Sequence, residues 1–198
     1  QQAGWHLHTQ VREEYPVSDG RIIVRGRMHH RSHPRRADYV LCFQKNQPIA
    51  VIEAKDANHS LGHGMQQAQA YAEKLDVPFA ISSNGSGFLF SDPHRLLFAQ
   101  AETTLALDQL PGPDALWHGY RRWKGLSEET RPVVEQPFYD DGSGRTPRYY
   151  QMVAVNRTVE AIAKGQDRLL LVMATGTGKT YTAFQLIWRL WKAGRKQR

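Results

Sequence analysis

Cysteine is almost absent from this chain. Cys42 stands alone among 198 residues, so no internal disulfide can form, and a reducing cytoplasmic setting is the expectation. No apolar run approaches the roughly 20 residues that span a bilayer, and no secretory leader is visible, so no membrane partner is expected. Histidine is present, but the spacing of His29, His30, His33, His59 and His63 matches no zinc pattern. Acidic residues are fewer than basic ones, 19 against 26, and the net charge of +7 suits an acidic partner, of which nucleic acid is the commonest. The 40% hydrophobic fraction is adequate for a packed core of one domain or a little more.

What is present is most pointed near the C-terminal end. Arg168 to Met173 reads as an apolar buried strand, Thr180 to Trp191 as a helix, and between them runs Ala174-Thr175-Gly176-Thr177-Gly178-Lys179-Thr180. In such a loop the glycines let backbone N–H groups approach a triphosphate. The lysine reaches the β- and γ-phosphates, and the final hydroxyl holds Mg²⁺. Met173 occupies the first position of the strict pattern, where glycine is usual, yet the looser helicase form A-x-x-G-x-G-K-T is met. ATP binding is therefore assigned to Thr175, Gly176, Thr177, Gly178, Lys179 and Thr180, with Thr180 as a metal ligand. A nucleotide hydrolase also needs an acidic strand end and a group to orient water, and no carboxylate follows Lys179. One strand and one helix cannot close a sheet, so the chain is expected to be the N-terminal part of a longer protein.

The first hundred residues carry a second constellation. Arg21 to Met28 alternates basic and apolar residues, as a strand with one wet face does, and His29 to Arg36 reads as a basic loop. Ala37 to Phe43 and Pro48 to Lys55 read as a hairpin about Gln44 to Gln47, with the second arm central in a sheet. Residues two apart on a strand share a face, so Glu53 and Lys55 point the same way, and the hairpin brings Asp38 beside them. Two carboxylates can hold Mg²⁺, which lowers the pKa of water for attack on a phosphodiester. Lys55 then orients the nucleophile or offsets charge on the phosphorane, and the Ala54 carbonyl is a further candidate ligand. Glu-x-Lys alone arises by chance on the order of once in a chain of this length. The carboxylate upstream and Gln67-x-x-x-Tyr71, on one face of a helix from about Ser60 to Leu75, raise its weight. Pro78 to Ser83 and Gly87 to Ser91 read as strands around Asn84-Gly85.

Asp38, then Glu53-Ala54-Lys55, then Gln67-x-x-x-Tyr71 resembles the PD-(D/E)xK nuclease signature in its RecB-like variant. With a helicase loop downstream, the order is similar to the N-terminal part of HsdR, the motor and nuclease subunit of type I restriction enzymes. The resemblance implies an α/β restriction-endonuclease-like mixed sheet flanked by helices, followed by the first elements of a RecA-like lobe. It implies that Asp38 and Glu53 bind metal, that Lys55 is catalytic, and that Gln67 and Tyr71 support the site and the DNA. Ala37 stands where the family has proline. Glu13 or Glu14 is a weaker candidate for the helix-borne acid of some relatives. The implied cofactors are Mg²⁺ and ATP; the implied partners are double-stranded DNA and the methyltransferase and specificity subunits.

The organisation expected is a nuclease domain over residues 1–107, a linker over 108–147 and the start of an ATPase domain over 148–198. Within the linker, Ala115 to Trp123 reads as a short helix, and Asp141 to Gly144 reads as its most flexible part. Arg148 to about Lys164 reads as a helix. Its start resembles the Q-motif region of superfamily 2 helicases, which implies that Gln151 reads adenine; an amide offers the donor and acceptor that adenine requires. Two other functions compete with the Mg²⁺-dependent endonuclease fused to a translocase. One is an inactive DNA-binding module that positions a helicase. The other is a stand-alone helicase with an unrelated basic domain, in which Asp38 and Lys55 would diverge.

Overall fold

The computed structural model describes residues 3–18, 22–25, 28–31 and 35–194. A short helix, α1 (Leu7–Gln10), leads into strand β1 (Val11–Ser18), followed by the two-stranded ribbon β2 (Ile22–Arg25) and β3 (Met28–Arg31). Then come β4 (Arg35–Gln44), β5 (Gln47–Ala54), helix α2 (Met65–Leu75), β6 (Phe79–Ser83), β7 (Phe88–Ser91) and β8 (Glu102–Leu105). Helices α3 (Pro113–Lys124), α4 (Arg131–Val134), α5 (Tyr149–Ala163) and α6 (Lys179–Lys192) complete the described chain.

One six-stranded mixed sheet, ordered β1-β4-β5-β6-β7-β8, organises the molecule. β5 lies inside it, antiparallel to β4 and parallel to β6, and its residues Gln47 to Glu53 are all buried. A strand covered on both faces reads as a nearly continuous apolar run, as Pro48 to Ile52 does. The parallel β5–β6 pair needs a crossover, and α2 supplies it. Met65, Ala68, Tyr71, Ala72 and Leu75 of α2 are buried at helical spacing. Burial of Met65 or Leu75 contributes about 1.5–3 kcal/mol each. The helix ends at Asp76, held in the left-handed region at φ 59°.

Several boundaries differ from the sequence reading. Part of the expected basic loop is strand: Met28–Arg31 pairs with Ile22–Arg25, and β4 begins at Arg35. His33 lies outside the described residues. The helix expected from Ser60 begins at Met65, because the preceding residues spend their backbone bonds in turns, His59 N–H to Asp56 O and His63 N–H to Ser60 O. Glu13 and Glu14, weighed as a helix-borne acid, stand exposed on β1.

The largest departure is Leu169 to Met173, expected as a buried strand. It is irregular, and Leu170 and Val172 are each 87% exposed. A strand needs a hydrogen-bonding neighbour, and none pairs with it among the described residues. The helices on either side are nonetheless fastened to the rest. Asp76 accepts two bonds from Arg157 of α5 (2.8 and 2.7 Å) and pairs with Lys124 of α3. The Asn156 side chain donates to the Asn46 carbonyl in the β4–β5 turn at 3.0 Å. Arg189 of α6 is 1% exposed; it donates to Asn156 Oδ1 (2.7 Å) and the Val134 carbonyl (2.6 Å), and burial pulls its pKa down to about 10.

Candidate active site and nucleotide loop

The carboxylate site is built where β4 and β5 run side by side. Tyr39 pairs with Ile52, and continuing that register by one residue sets Asp38 opposite Glu53. Asp38 Oδ2 accepts the Ala54 N–H at 2.8 Å, fixing the first carboxylate to the strand that carries the second. Lys55 N–H donates to the Ser83 carbonyl at 2.8 Å, so the strand direction persists past Ala54. The Lys55 ammonium then reaches back to Glu53 Oε1 at 2.9 Å. Asp38, Glu53 and Lys55 therefore converge, which removes the reading in which Asp38 and Lys55 diverge.

Glu53 is 1% exposed, and its second oxygen, Oε2, is buried without a hydrogen-bond partner. Burial is the main force raising the Glu53 pKa; the Lys55 hydrogen bond opposes it and the neighbouring Asp38 adds to it. The hydrogen bond to Glu53 in turn raises the Lys55 pKa against desolvation, with Asp38 and Tyr71 adding in the same direction. A buried carboxylate oxygen left without a donor costs free energy that a cation would recover. The donor set is hard oxygen from two carboxylates, and the described residues contain no group of three or more His, Cys, Asp or Glu placed to hold a metal. A cation here would complete its shell largely with water, as Mg²⁺ commonly does.

Gln67 and Tyr71 meet as their spacing predicts: Gln67 Nε2 donates to the Tyr71 hydroxyl at 3.2 Å. Two supporting residues were missed by sequence reasoning. Ser82 is fully buried beside Glu53 in the parallel β5–β6 register, and its hydroxyl accepts the Gly64 N–H at 3.1 Å. A Cβ on Gly64 would lie 2.9 Å from that hydroxyl and 3.0 Å from Glu53 Cγ, so a side chain there would push on both where the start of α2 closes on the carboxylate. A glycine just ahead of the Gln-x-x-x-Tyr helix was the available signal.

The phosphate loop lies on the surface. Gly176 and Gly178 take φ of 79° and 85°, a region other residues enter at a cost, which is why the motif needs glycine there. Thr177 Oγ1 donates to the Ala174 carbonyl at 2.6 Å, and Lys179 Nζ to the Met173 carbonyl at 3.3 Å, while Thr175 and Thr180 are exposed. Gln151 is buried with its amide used within the chain: Nε2 donates to the Thr177 carbonyl at 2.7 Å, and Oε1 accepts the Arg148 N–H at 3.0 Å. Gln151 thus joins the loop residues it was expected to work with, through the loop itself.

A nuclease-like sheet carrying two carboxylates and a lysine, followed by a helicase-type phosphate loop, is the architecture of a restriction-enzyme subunit. Residues 6–107 match the family described as type I restriction enzyme R protein N terminus, and residues 145–198 match the type III restriction enzyme res subunit family. The chain is 51% identical over 196 residues to the type I restriction enzyme EcoAI endonuclease subunit of Escherichia coli, covering 99% of this chain and 24% of that protein. It is 28% identical over 208 residues to the EcoKI endonuclease subunit of Escherichia coli (strain K12), covering 82% and 17%. Among solved structures, a fragment assigned as the HsdR subunit of a type I restriction enzyme from Vibrio vulnificus YJ016 superposes with a TM-score of 0.78. It is 39% identical and covers 94% of this chain and 34% of that one. The chain belongs to the type I restriction enzyme R protein family, as its N-terminal region. It spans about a quarter of the length of the EcoAI relative.

Proposed function

We propose that this chain is the Mg²⁺-dependent DNA endonuclease region of a type I restriction enzyme R subunit, coupled in the whole protein to ATP-driven DNA translocation. The observation that carries the reading is Glu53: a fully buried carboxylate with one oxygen paired to Lys55, the other unpartnered, and Asp38 beside it. Asp38 and Glu53 would hold the Mg²⁺, which when bound supplies charge to activate water and to stabilise the phosphorane. Lys55, tied to Glu53, keeps a fixed cation next to the scissile phosphate and offsets its developing negative charge. Tyr71 and Gln67 hold the α2 side of the site against the incoming strand.

Within the same reading, residues 1–107 form the nuclease domain, 108–147 the linker, and 148–198 the opening of a RecA-like motor domain. Thr175 to Thr180 cradle ATP, Thr180 takes its Mg²⁺, and Gln151 exchanges its bond to the loop for one to adenine. In the full-length protein, Leu169 to Met173 joins a sheet made by the rest of that domain. The partners are double-stranded DNA and the methyltransferase and specificity subunits, in the cytoplasm. No described helix is long and apolar enough to cross a membrane.

The test is Glu53→Ala in the full-length subunit assembled with its partners. Duplex cleavage should fall by about 10³-fold or more, as expected for a lost charge-stabilising group, while ATP-driven translocation continues. Cleavage at the wild-type rate defeats the assignment. Loss of cleavage and translocation together assigns Glu53 a structural role instead.

A further inference from the structure

We propose that His59, held by Asp56 and in tilted contact with His63, contacts a phosphate of the DNA strand that enters the carboxylate site, an inference that rests on the nuclease reading above. The loop from Asp56 to Gly64 leaves β5 directly after Lys55, and both of its ends are fastened to residues that line the site. At one end Asn84, which follows the Ser83 that receives the Lys55 N–H, donates its side-chain amide to the His59 carbonyl at 2.9 Å. At the other end Gly64 closes on Glu53 and Ser82. The loop backbone is thereby held between the end of β5 that carries Lys55 and the start of α2 that closes on Glu53.

Their arrangement suits an anion. His59 Nδ1 lies 2.8 Å from Asp56 Oδ1, and the same oxygen accepts the Asn58 N–H at 2.9 Å, so the carboxylate is fixed in place. The His59 bond, followed by the Asn58 N–H, holds the Asp56 carboxyl below the usual carboxylate range. With Nδ1 turned to a carboxylate, the opposite nitrogen, Nε2, is the free one, and in the imidazolium it is an N–H donor. The His63 ring flanks it, 4.2 Å away between centroids and tilted by 48°. Asp56 and His63 are the titratable groups that meet His59.

Two simpler roles fit less well. The His59 and Asp56 side chains are 40% and 63% exposed, and an ion pair so exposed contributes little to stability, so the fold does not require it. As a metal site the cluster falls short, because Asp56, His59 and His63 are not brought together as a three-donor group. A phosphate oxygen needs only the single presented donor, and this loop joins the strand that carries Glu53 and Lys55 to the helix that closes on Glu53.

The experiment uses the full-length R subunit. Duplex cleavage and ATP hydrolysis are measured in the assembled complex; duplex affinity is measured across a salt series in a Lys55→Ala background that leaves the DNA intact. His59→Ala should lower cleavage about tenfold, the size of one charge-assisted hydrogen bond. It should also reduce the slope of log affinity against log salt by about one, and leave ATP hydrolysis unchanged. His59→Gln, which keeps an amide donor without the charge, should recover part of the cleavage and none of the slope. Unchanged cleavage and slope overturn the proposal, as does a fall in cleavage with an unchanged slope or with a matching fall in ATP hydrolysis. Glu53→Ala in parallel separates the two readings: cleavage that survives it defeats the nuclease assignment, whereas cleavage lost there and untouched in His59→Ala defeats this proposal alone.

Discussion

The carboxylate site and the phosphate loop are both short, recognisable motifs, yet they stand in opposite physical states. Glu53 is buried in a sheet whose neighbours on both sides are present, and every element around it constrains it. Gly176, Lys179 and Thr180 of the loop are exposed, and the segment feeding it has no pairing partner among the described residues. α6, which follows the loop, buries Gln185 and Arg189 against the rest of the molecule and exposes Phe184, Ile187 and Trp191 on another side. A motif becomes a site only when tertiary neighbours hold its groups. The first motif has those neighbours, and the second has no strand beside it among the described residues.

Three changes test this contrast, from the largest effect to the smallest. Lys179→Ala in the full-length complex should abolish ATP hydrolysis, and with it translocation, because in the proposed ATP site the lysine is the loop's charge for the β- and γ-phosphates. It should leave the unfolding temperature of this region unchanged, since Lys179 is exposed; unchanged ATP hydrolysis would end the reading of the loop. Gly64→Ala should do the reverse. It forces a methyl group against Ser82 and Glu53, costing about 1–3 kcal/mol in thermal or denaturant unfolding, and it should slow cleavage while ATP hydrolysis stays normal. A fully stable, fully active Gly64→Ala protein would mean that the start of α2 does not hold Glu53.

The smallest effect concerns the cost of keeping Glu53 ready. Its folded pKa is raised above the unfolded value, so the folded state binds the proton more tightly. Its contribution is therefore fully present below the ordinary glutamate range and is lost as pH rises through the raised pKa. At neutral pH and without divalent cations, Glu53→Gln should stabilise the fold by about 1 kcal/mol, read as a higher unfolding midpoint, while cleavage is lost. The gain should vanish in acid. A destabilised Glu53→Gln protein at neutral pH would show that the Lys55 pair outweighs the burial of the charge.

Local pattern made much of this legible. The strand-forming residues and nearly continuous apolar run of Ala37 to Lys55, broken at Gln44 to Gln47, mark the hairpin, and its register brings Asp38 to Glu53. The i, i+4 spacing of Gln67 and Tyr71 puts them on one face of α2, where the structure joins them by a hydrogen bond. By contrast, β1 and β8, the edge strands, carry mixed sequences whose strand character comes from pairing, and they were not foreseen. The ribbon β2–β3 was only half visible, because Met28–Arg31 is basic and reads as a loop until Ile22–Arg25 lies beside it. The segment Leu169 to Met173 shows the converse: an apolar run states a preference for burial, and a neighbour must satisfy it.

The sequence by itself determined the chemistry available to this protein: two carboxylates and a lysine at strand spacing, a glycine-rich phosphate loop ahead of a helix, and an excess of basic charge. These are properties of residue type and separation along the chain, which local backbone geometry converts directly into shared faces. Only the tertiary structure decided that Glu53 would be buried with one oxygen unpartnered, that Gly64 and Ser82 would close over it, and that Gln151 would rest on the loop at Thr177. Burial and hydrogen-bond satisfaction depend on residues distant in sequence, so no local pattern could state them.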